Sequence, residues 1–173
     1  MANTYTLIAS STVGAGGASS IVFSSIPSTY TDLLIKVSAR STYASTTDSL
    51  GIYFNTVAAD CSYKNLAGNG TAATSGGGTA QTDIYVGEFS AANSTSNTFG
   101  SCDIYIPNYN SSNQKVDSSD SAGENNATLG LLNLLGGLST KTAAISSITV
   151  RSFGGSFNLA QYSTAYLYGI KNS

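Results

Sequence analysis

The sequence predicts an all-β chain, an antiparallel β-sandwich of about eight strands expected to form a jelly roll. Three observations carry that expectation. Apolar residues recur with a period of two, the β-rich runs are short and bounded by Gly, Ser and Asn, and 173 residues make about one domain, residues 1–173. Such alternation leaves one face of a strand wet, which antiparallel sheets routinely allow.

In chain order, "YTLIAS" at 5–10 and "SSIVFSSI" at 19–26 are the first strands, joined by the glycine turn "TVGAGGAS". "IPSTYTD" is a short connection fixed at Pro27. "DLLIKVSAR" then sets Leu33, Ile35, Val37 and Ala39 against Leu34, Lys36, Ser38 and Arg40 on the opposite face. "SLGIYFN" repeats the pattern with Leu50, Ile52 and Phe54, and "LAGNGTAATSGGGTA" at 66–80 reads as a flexible surface loop. In "TDIYVGEF" the frame of Ile84, Val86 and Glu88 against Tyr85, Gly87 and Phe89 is mixed, which predicts a bulge or bend near Gly87. "SCDIYIPNY" at 101–109 is a strand closed by Pro107, which lacks the ladder donor.

At about 110–143 the rhythm changes, and the stretch reads as a polar and leucine-rich, insertion-like loop region. "NSSNQKVDSSDSAGENN" at 110–126 is polar and expected to face solvent. "ATLGLLNLLGGLSTKTAA" holds Leu129, Leu131, Leu132, Leu134 and Leu135 with few β-branched residues. It reads as a loop plugging one end of the sandwich, as a short helix stopped by Gly136 and Gly137, or as an exposed apolar contact. In that last reading these leucines, with Tyr105 and Tyr109, are the candidate partner-contact residues. "AISSITVRSF" at 144–153 and "YSTAYLYGI" at 162–170 complete the strands. In the last, Tyr162, Thr164, Tyr166 and Tyr168 share one face and Ser163, Ala165, Leu167 and Gly169 the other, with Gly169 suited to a close backbone approach.

Charged residues are 9% of the chain, where about 25% is ordinary, so the wet surface must consist of hydroxyls and amides. Seven Lys and Arg against nine Asp and Glu leave a formal charge of −2 with no run of either sign. Nucleic acid is therefore not an expected partner, because phosphate binding draws on clustered cations. Weak repulsion between copies favours self-association. No stretch approaches the roughly 20 apolar residues that span a bilayer, and no basic segment precedes an apolar core at the start, so neither a membrane helix nor a secretion signal is expected.

Histidine is absent, which removes the commonest general base and metal ligand. No catalytic residue, metal site or cofactor is expected. Asp117, Asp120 and Glu124 lack the ligand pattern of an EF-hand loop, and "GAGGAS" has no lysine at the spacing of a phosphate loop. Glu88 is the carboxylate whose parity points inward, where it would need a cation such as Lys64 or Arg40. Cys61 and Cys102 lie in separate strands and are expected as buried thiols, a bridge being the alternative. Eleven tyrosines and no tryptophan suit oligomer interfaces or stacking against sugars, with Tyr43, Tyr53, Tyr85, Tyr105 and Tyr109 the ones placed for exposure.

Three stretches, "YTLIASSTVGAGGASSIVFSSIPSTYTDLLIKVSARS" at 5–41, "IYIPNY" at 104–109 and "AISSITVRSFGGSFNLAQYSTAYLYGIKNS" at 144–173, are similar to segments of small β-rich virion-associated proteins of tailed bacteriophages. Those proteins end on the same Leu-Tyr-Gly-Ile-Lys tail. The resemblance implies a non-enzymatic structural protein of the virion, first of all a decoration or cement subunit on the head. Its implied partners are further copies of itself, with a trimer favoured, and other virion proteins such as the major capsid protein. The alternative it allows is a tail-fibre or tail-appendage domain that binds host surface glycan.

Overall fold

The computed structural model describes residues 4–124, 126 and 130–171. Alternation shapes the first strands: β1 (Tyr5–Thr12), β2 (Ile21–Phe23), β3 (Asp32–Ala39) and β4 (Thr47–Phe54). A hairpin follows, β5 (Cys61–Gly68) and β6 (Ala73–Gln81), then β7 (Ile84–Ser90) and β8 (Gly100–Ile106). The chain continues through β9 (Lys115–Glu124), β10 (Gly130–Ser139), β11 (Ile148–Ser152), a 3-10 turn at Phe153–Gly155, and β12 (Thr164–Ile170). All named pairings are antiparallel, in an eight-stranded sheet ordered β1-β12-β3-β8-β9-β10-β5-β6 and a four-stranded sheet ordered β2-β11-β4-β7. The architecture is the expected all-β sandwich, with twelve described strands divided eight and four against the eight strands of a jelly roll.

The core lies between the sheets; in β3, β4 and β7 it takes residues whose parity predicts it, and in β12, whose inward face alternation leaves open, the structure turns Ala165 and Leu167 inward. Leu33, Ile35, Val37 and Ala39 of β3 are buried, as are Leu50, Ile52 and Phe54 of β4, Ile84 and Val86 of β7, and Ala165 and Leu167 of β12. The expected bulge is present: opposite Leu50 and Gly51, β7 skips from Gly87 to Tyr85, and Gly87 adopts φ 139°. β12 lies between β1 and β3, so the outer edge belongs to β1. The Tyr30 ring covers Gly169 so closely that a Cβ there would sit 2.3 Å from its Cγ.

Three expectations are corrected. Residues 66–80 belong to a hairpin and not to a flexible loop. Its turn closes on Asn69, whose side-chain oxygen accepts from the Thr71 and Ala72 amides at 3.0 and 2.8 Å, while Gly70 takes φ 85°. The insertion-like loop region at about 110–143 contains β9 and β10, which lie side by side in the large sheet. Their hydropathy is inverted, with small and polar side chains facing inward: Asp117, Ser119 and Ser121 from β9, and Asn133, Gly137 and Ser139 from β10. Leu132 and Leu134 face outward, so the leucine segment is a strand rather than a plug or a helix.

The reason is the strand above them. Cβ atoms added at Gly87 and Gly137 would fall 2.0 Å from Ser121 Oγ and 2.2 Å from Ile84 Cγ2. One at Gly100 would fall 2.7 Å from the Phe89 Cα. β7 therefore rests closely on β8, β9 and β10, and at the points of nearest approach, Gly100, Ser121 and Gly137, only small inward residues fit beneath it.

Tyr109 is also corrected. It is fully buried rather than exposed, its hydroxyl donating to the Pro27 carbonyl and accepting the Tyr30 amide at 3.4 Å. Tyr85 is buried as well, edge-on to Tyr63 and Phe153. Both cysteines are free and buried. β9 and β10 separate their strands, a gap of about three strand spacings, or ~14 Å, too far for a bridge.

Adjacent glycines of β10 test the close packing. A Cβ at Gly136 meets nothing within 4 Å, whereas one at Gly137 collides with Ile84 and with Asp117 Oδ1 at 2.3 Å. Gly137→Ala should cost about 1 to 3 kcal/mol in urea denaturation by overpacking. Gly136→Ala should be neutral or gain up to about 1 kcal/mol. Equal effects at the two positions would contradict this packing.

Candidate functional site

The inverted pattern of β9 and β10 leaves the outward face of the large sheet rich in apolar groups. Its register can be followed strand by strand. One row runs Leu7, Tyr168, Leu34, Tyr105, Ser118, Gly136 and Lys64. The next runs Tyr166, Lys36, Asp103, Asp120, Leu134 and Leu66. Exposure is substantial where solvent-facing sheets usually carry polar side chains: Leu7 51%, Leu66 61%, Val116 50%, Leu132 53% and Leu134 52%.

Of the sequence candidates, Leu132, Leu134 and Tyr105 lie exposed on this face. Leu131 has the opposite parity and is half-buried, Leu135 is buried on the inner face, and Tyr109 is in the core. Leu135 and Tyr109 are therefore not surface contacts in this fold. Leu129 lies outside the described residues. Sequence reasoning missed Tyr5, Leu7, Leu66, Val116 and Tyr166, all exposed. The signal for Leu66 was that it shares strand parity with the charged Lys64, although it opens a run read as loop, and Val116 stands among polar neighbours.

The tyrosines are held rather than loose. Tyr105 donates to Asp32 Oδ2 at 2.9 Å, while Asp32 Oδ1 accepts the Asn108 amide at 2.8 Å, so the ring is fixed along the sheet surface. Beside it, Lys36 pairs with Asp103, and Asp103 faces Asp120 across the ladder. Two like charges directly opposite are unfavourable, and Lys36 offsets them. The Asp103 hydrogen bond, reinforced by the charges of Asp103 and Asp120, holds the Lys36 ammonium above its usual pKa. Around this triad is a hollow of about 550 Å³ lined by Tyr5, Leu34, Asp103, Tyr105, Asp120 and Leu134. A second hollow, about 590 Å³, lies beyond Leu134 between Lys64, Leu66 and Gly136. Both are open depressions on one face.

The remaining candidates occupy structural positions. Glu88 is half-buried with its pKa raised, first by burial, while a Thr47 hydrogen bond acts in the opposite sense. Neither expected cation reaches it. Lys64 is on the outward face of the large sheet, and Arg40 donates to the Ala92, Ser94, Thr95 and Thr98 carbonyls and to Ser94 Oγ at 2.7 to 3.1 Å, fastening the 91–99 loop. Asp117 points inward while Asp120 points outward, and Glu124 accepts the Thr95 amide at 2.7 Å. Among the described residues no three His, Cys, Asp or Glu side chains gather to hold a metal ion. Asp83, fully buried, accepts Arg151 Nε at 3.0 Å and the Gly154 amide at 2.6 Å, while the guanidinium also lies 4.8 Å from the Tyr53 ring centre. Burial, aided by the hydrogen bond to Asp60, raises the Cys61 thiol to about 12. Cys102 is likewise raised by burial, so neither is a poised nucleophile.

No family model matches this sequence, and comparison with curated proteins and with solved structures likewise finds no match.

Asp117 gives the fold a pH signature. It is 4% exposed, and neither carboxylate oxygen has a hydrogen-bond partner among the described residues. Lys115, two residues away on the same strand face, spends its ammonium on the Ser111, Asn113 and Thr142 carbonyls. Burial alone lifts the Asp117 carboxyl from 3.8 to about 7. Between those values the native state holds a proton that the unfolded chain has lost, so stability falls as pH rises through this window. Asp117→Asn should flatten the decline in thermal midpoint from pH 4 to 7, leaving the smaller slope due to Glu88. A variant that tracks the wild-type slope would show that Asp117 does not carry it.

Proposed function

We propose that this chain is a non-enzymatic structural subunit that works by binding, with the outward face of its large sheet as the contact surface. The observation that carries the reading is the apolar, tyrosine-bearing character of that face, with five aliphatic side chains each at least half exposed. The strands are stiff and hydrogen-bonded, so little conformational entropy is lost when a partner covers them. Charge is sparse, which favours broad protein contact over phosphate or membrane binding.

The likeness of 5–41, 104–109 and 144–173 to phage virion-associated proteins gives this surface a setting. The chain would be a decoration or cement subunit on the head of a tailed bacteriophage, seated against the major capsid protein and neighbouring copies, with a homotrimer as the favoured arrangement. Leu132, Leu134 and Tyr105 then belong to the contact, together with Leu66 and Tyr166. Catalysis is not part of this reading, nor is a cofactor.

A second reading rests on one specific observation. The hollow that joins Tyr5 and Tyr105 to Asp103, Asp120 and nearby Lys36 sets aromatic rings beside charged acceptors and a donor, the chemistry that holds a sugar. It would suit a tail appendage that binds host glycan. A particle reconstruction separates the two: hundreds of copies spread over the shell fit the first, and a few dozen at one vertex fit the second.

The paired change Leu132→Ser and Leu134→Ser should leave folding within about 0.5 kcal/mol per site, because both side chains are exposed in the free subunit. Occupancy on particles should fall at least about tenfold, each leucine lost from a dry contact being worth roughly 1.5 to 3 kcal/mol. Full occupancy by the folded variant would exclude this face as the attachment surface.

A further inference from the structure

The sandwich has open edges, and they are not equally defended. β2 is only three residues long, β1 is interrupted by a register shift between Leu7 and Ala9, and Ser90 at the end of β7 is bridged by Arg40. β6 shifts register only near its end, between Gly78 and Gln81, and is otherwise the longest unbroken edge. It runs nine residues, "ATSGGGTAQ", with no charge and no proline, and from Ala73 to Gly78 it pairs with β5 without a break. Among the described residues no strand pairs with its other side. Such an edge exposes backbone donors and acceptors that a further strand can take up.

Its free groups can be identified. The Asn69 amide donates to the Ala72 carbonyl at 3.3 Å, which makes 69 and 72 a hydrogen-bonded pair at the turn. Bonded and non-bonded pairs alternate along an antiparallel ladder. In the observed register Ala67 with Thr74 and Asn65 with Gly76 are then bonded pairs, whereas Gly68 with Ala73, Leu66 with Ser75 and Lys64 with Gly77 are not. Ala73, Ser75 and Gly77 therefore turn their N–H and C=O groups to the open side. Their side chains stand on the outward face and are as small as side chains can be.

We propose that the free edge of β6 is a joint for a second copy of this chain, pairing antiparallel about a two-fold axis through Ser75. Ser75 then faces its own counterpart, and Ala73 of each copy faces Gly77 of the other. Every outward N–H meets an outward C=O, because an antiparallel strand is complementary to itself under two-fold symmetry. The charges permit it. The strand carries none, and Lys64, whose side chain lies along Gly77, is about two residues from the axis. The two ammonium groups are thus roughly 13 Å apart along the strands, beyond a Debye length at physiological salt. Leu66 pairs with Ser75, so the apolar outward face continues across the joint from one copy to the next. This contact uses a different surface from the one assigned to the shell or to glycan, and it can coexist with threefold contacts elsewhere.

Ser75→Pro tests it, because the proline removes an N–H that the ladder to β5 does not use, and edge positions tolerate proline. Sedimentation of the full chain at up to about 1 mM, a range in which weak contacts register, should show a monomer–dimer equilibrium for the wild type. Association of Ser75→Pro should be at least about tenfold weaker at an unchanged circular dichroism spectrum. Amide exchange gives a readout that needs no variant: the Ala73, Ser75 and Gly77 amides should gain protection as the wild type associates. A wild type that stays monomeric would overturn the joint, as would a Ser75→Pro chain that dimerises like the wild type. Should the variant misfold, the three amides decide, and exchange that is equally fast in monomer and dimer overturns the proposal.

Discussion

The rest of the structure depends on how closely β7 approaches the inner face of β8, β9 and β10. Side chains normally separate packed sheets by about 10 Å. Here that separation collapses locally, because glycines at 87, 100 and 137 and serines at 119 and 121 leave nothing to hold the strand away. The Glu88 amide donates to Ser121 Oγ at 3.2 Å, and the Cys102 thiol lies 3.2 Å from the Val86 carbonyl, so polar contacts between sheets stand where hydrophobic interdigitation would be expected. The Gly87 bulge follows from the same constraint. A side chain there would require a strained backbone as well as a displaced Ser121.

The consequences reach the opposite side of the sheet. Because period two is strict, a strand that must place Asp117, Ser119 and Ser121 inward also fixes Val116, Ser118 and Asp120 outward, and β10 likewise turns out Leu132 and Leu134. The aliphatic mass that could not fit under β7 stands on the open face. There it joins Leu66 from β5 and the tyrosines of β1, β8 and β12 in one surface. An exposed face of apolar groups and a glycine-lined interior are thus two views of one packing solution. Asp117 lies in that interior, its carboxyl over the inner face of its ladder partner Gly137 and kept protonated by burial to about neutral pH.

Much of the fold was legible because most strands follow the ordinary code of apolar residues inward. For β12 alternation separated the two faces without deciding which is inward, whereas β3 and β4 could be read to the correct face from alternation, and the bulge at Gly87 from a break in it. β9 and β10 could not, since their code is reversed. A run such as "VDSSDSAG" resembles solvent-exposed loop unless the strand above it is known, and "LGLLNLLGGL" resembles a plug when its leucines are assumed to seek the core. The β5–β6 hairpin was hidden by three consecutive glycines, over which Tyr63, Lys64 and Asn65 extend their own side chains. The candidate site was legible at Leu132, Leu134 and Tyr105. It was lost at Tyr109, which lies past the end of β8 and is buried with its hydroxyl between Pro27 and Tyr30, and at Leu135, whose odd parity turns it inward.

β9 and β10 are integral strands, locked by β7 on one side and open on the other. Native-state hydrogen exchange on the dilute, isolated chain measures this directly. Residues 115–124 and 130–139 should exchange as slowly as β3 and β8, through global unfolding, with the Glu88 amide protected to the same degree. Exchange across 115–139 at the rate of a free loop, with β3 and β8 still protected, would contradict it.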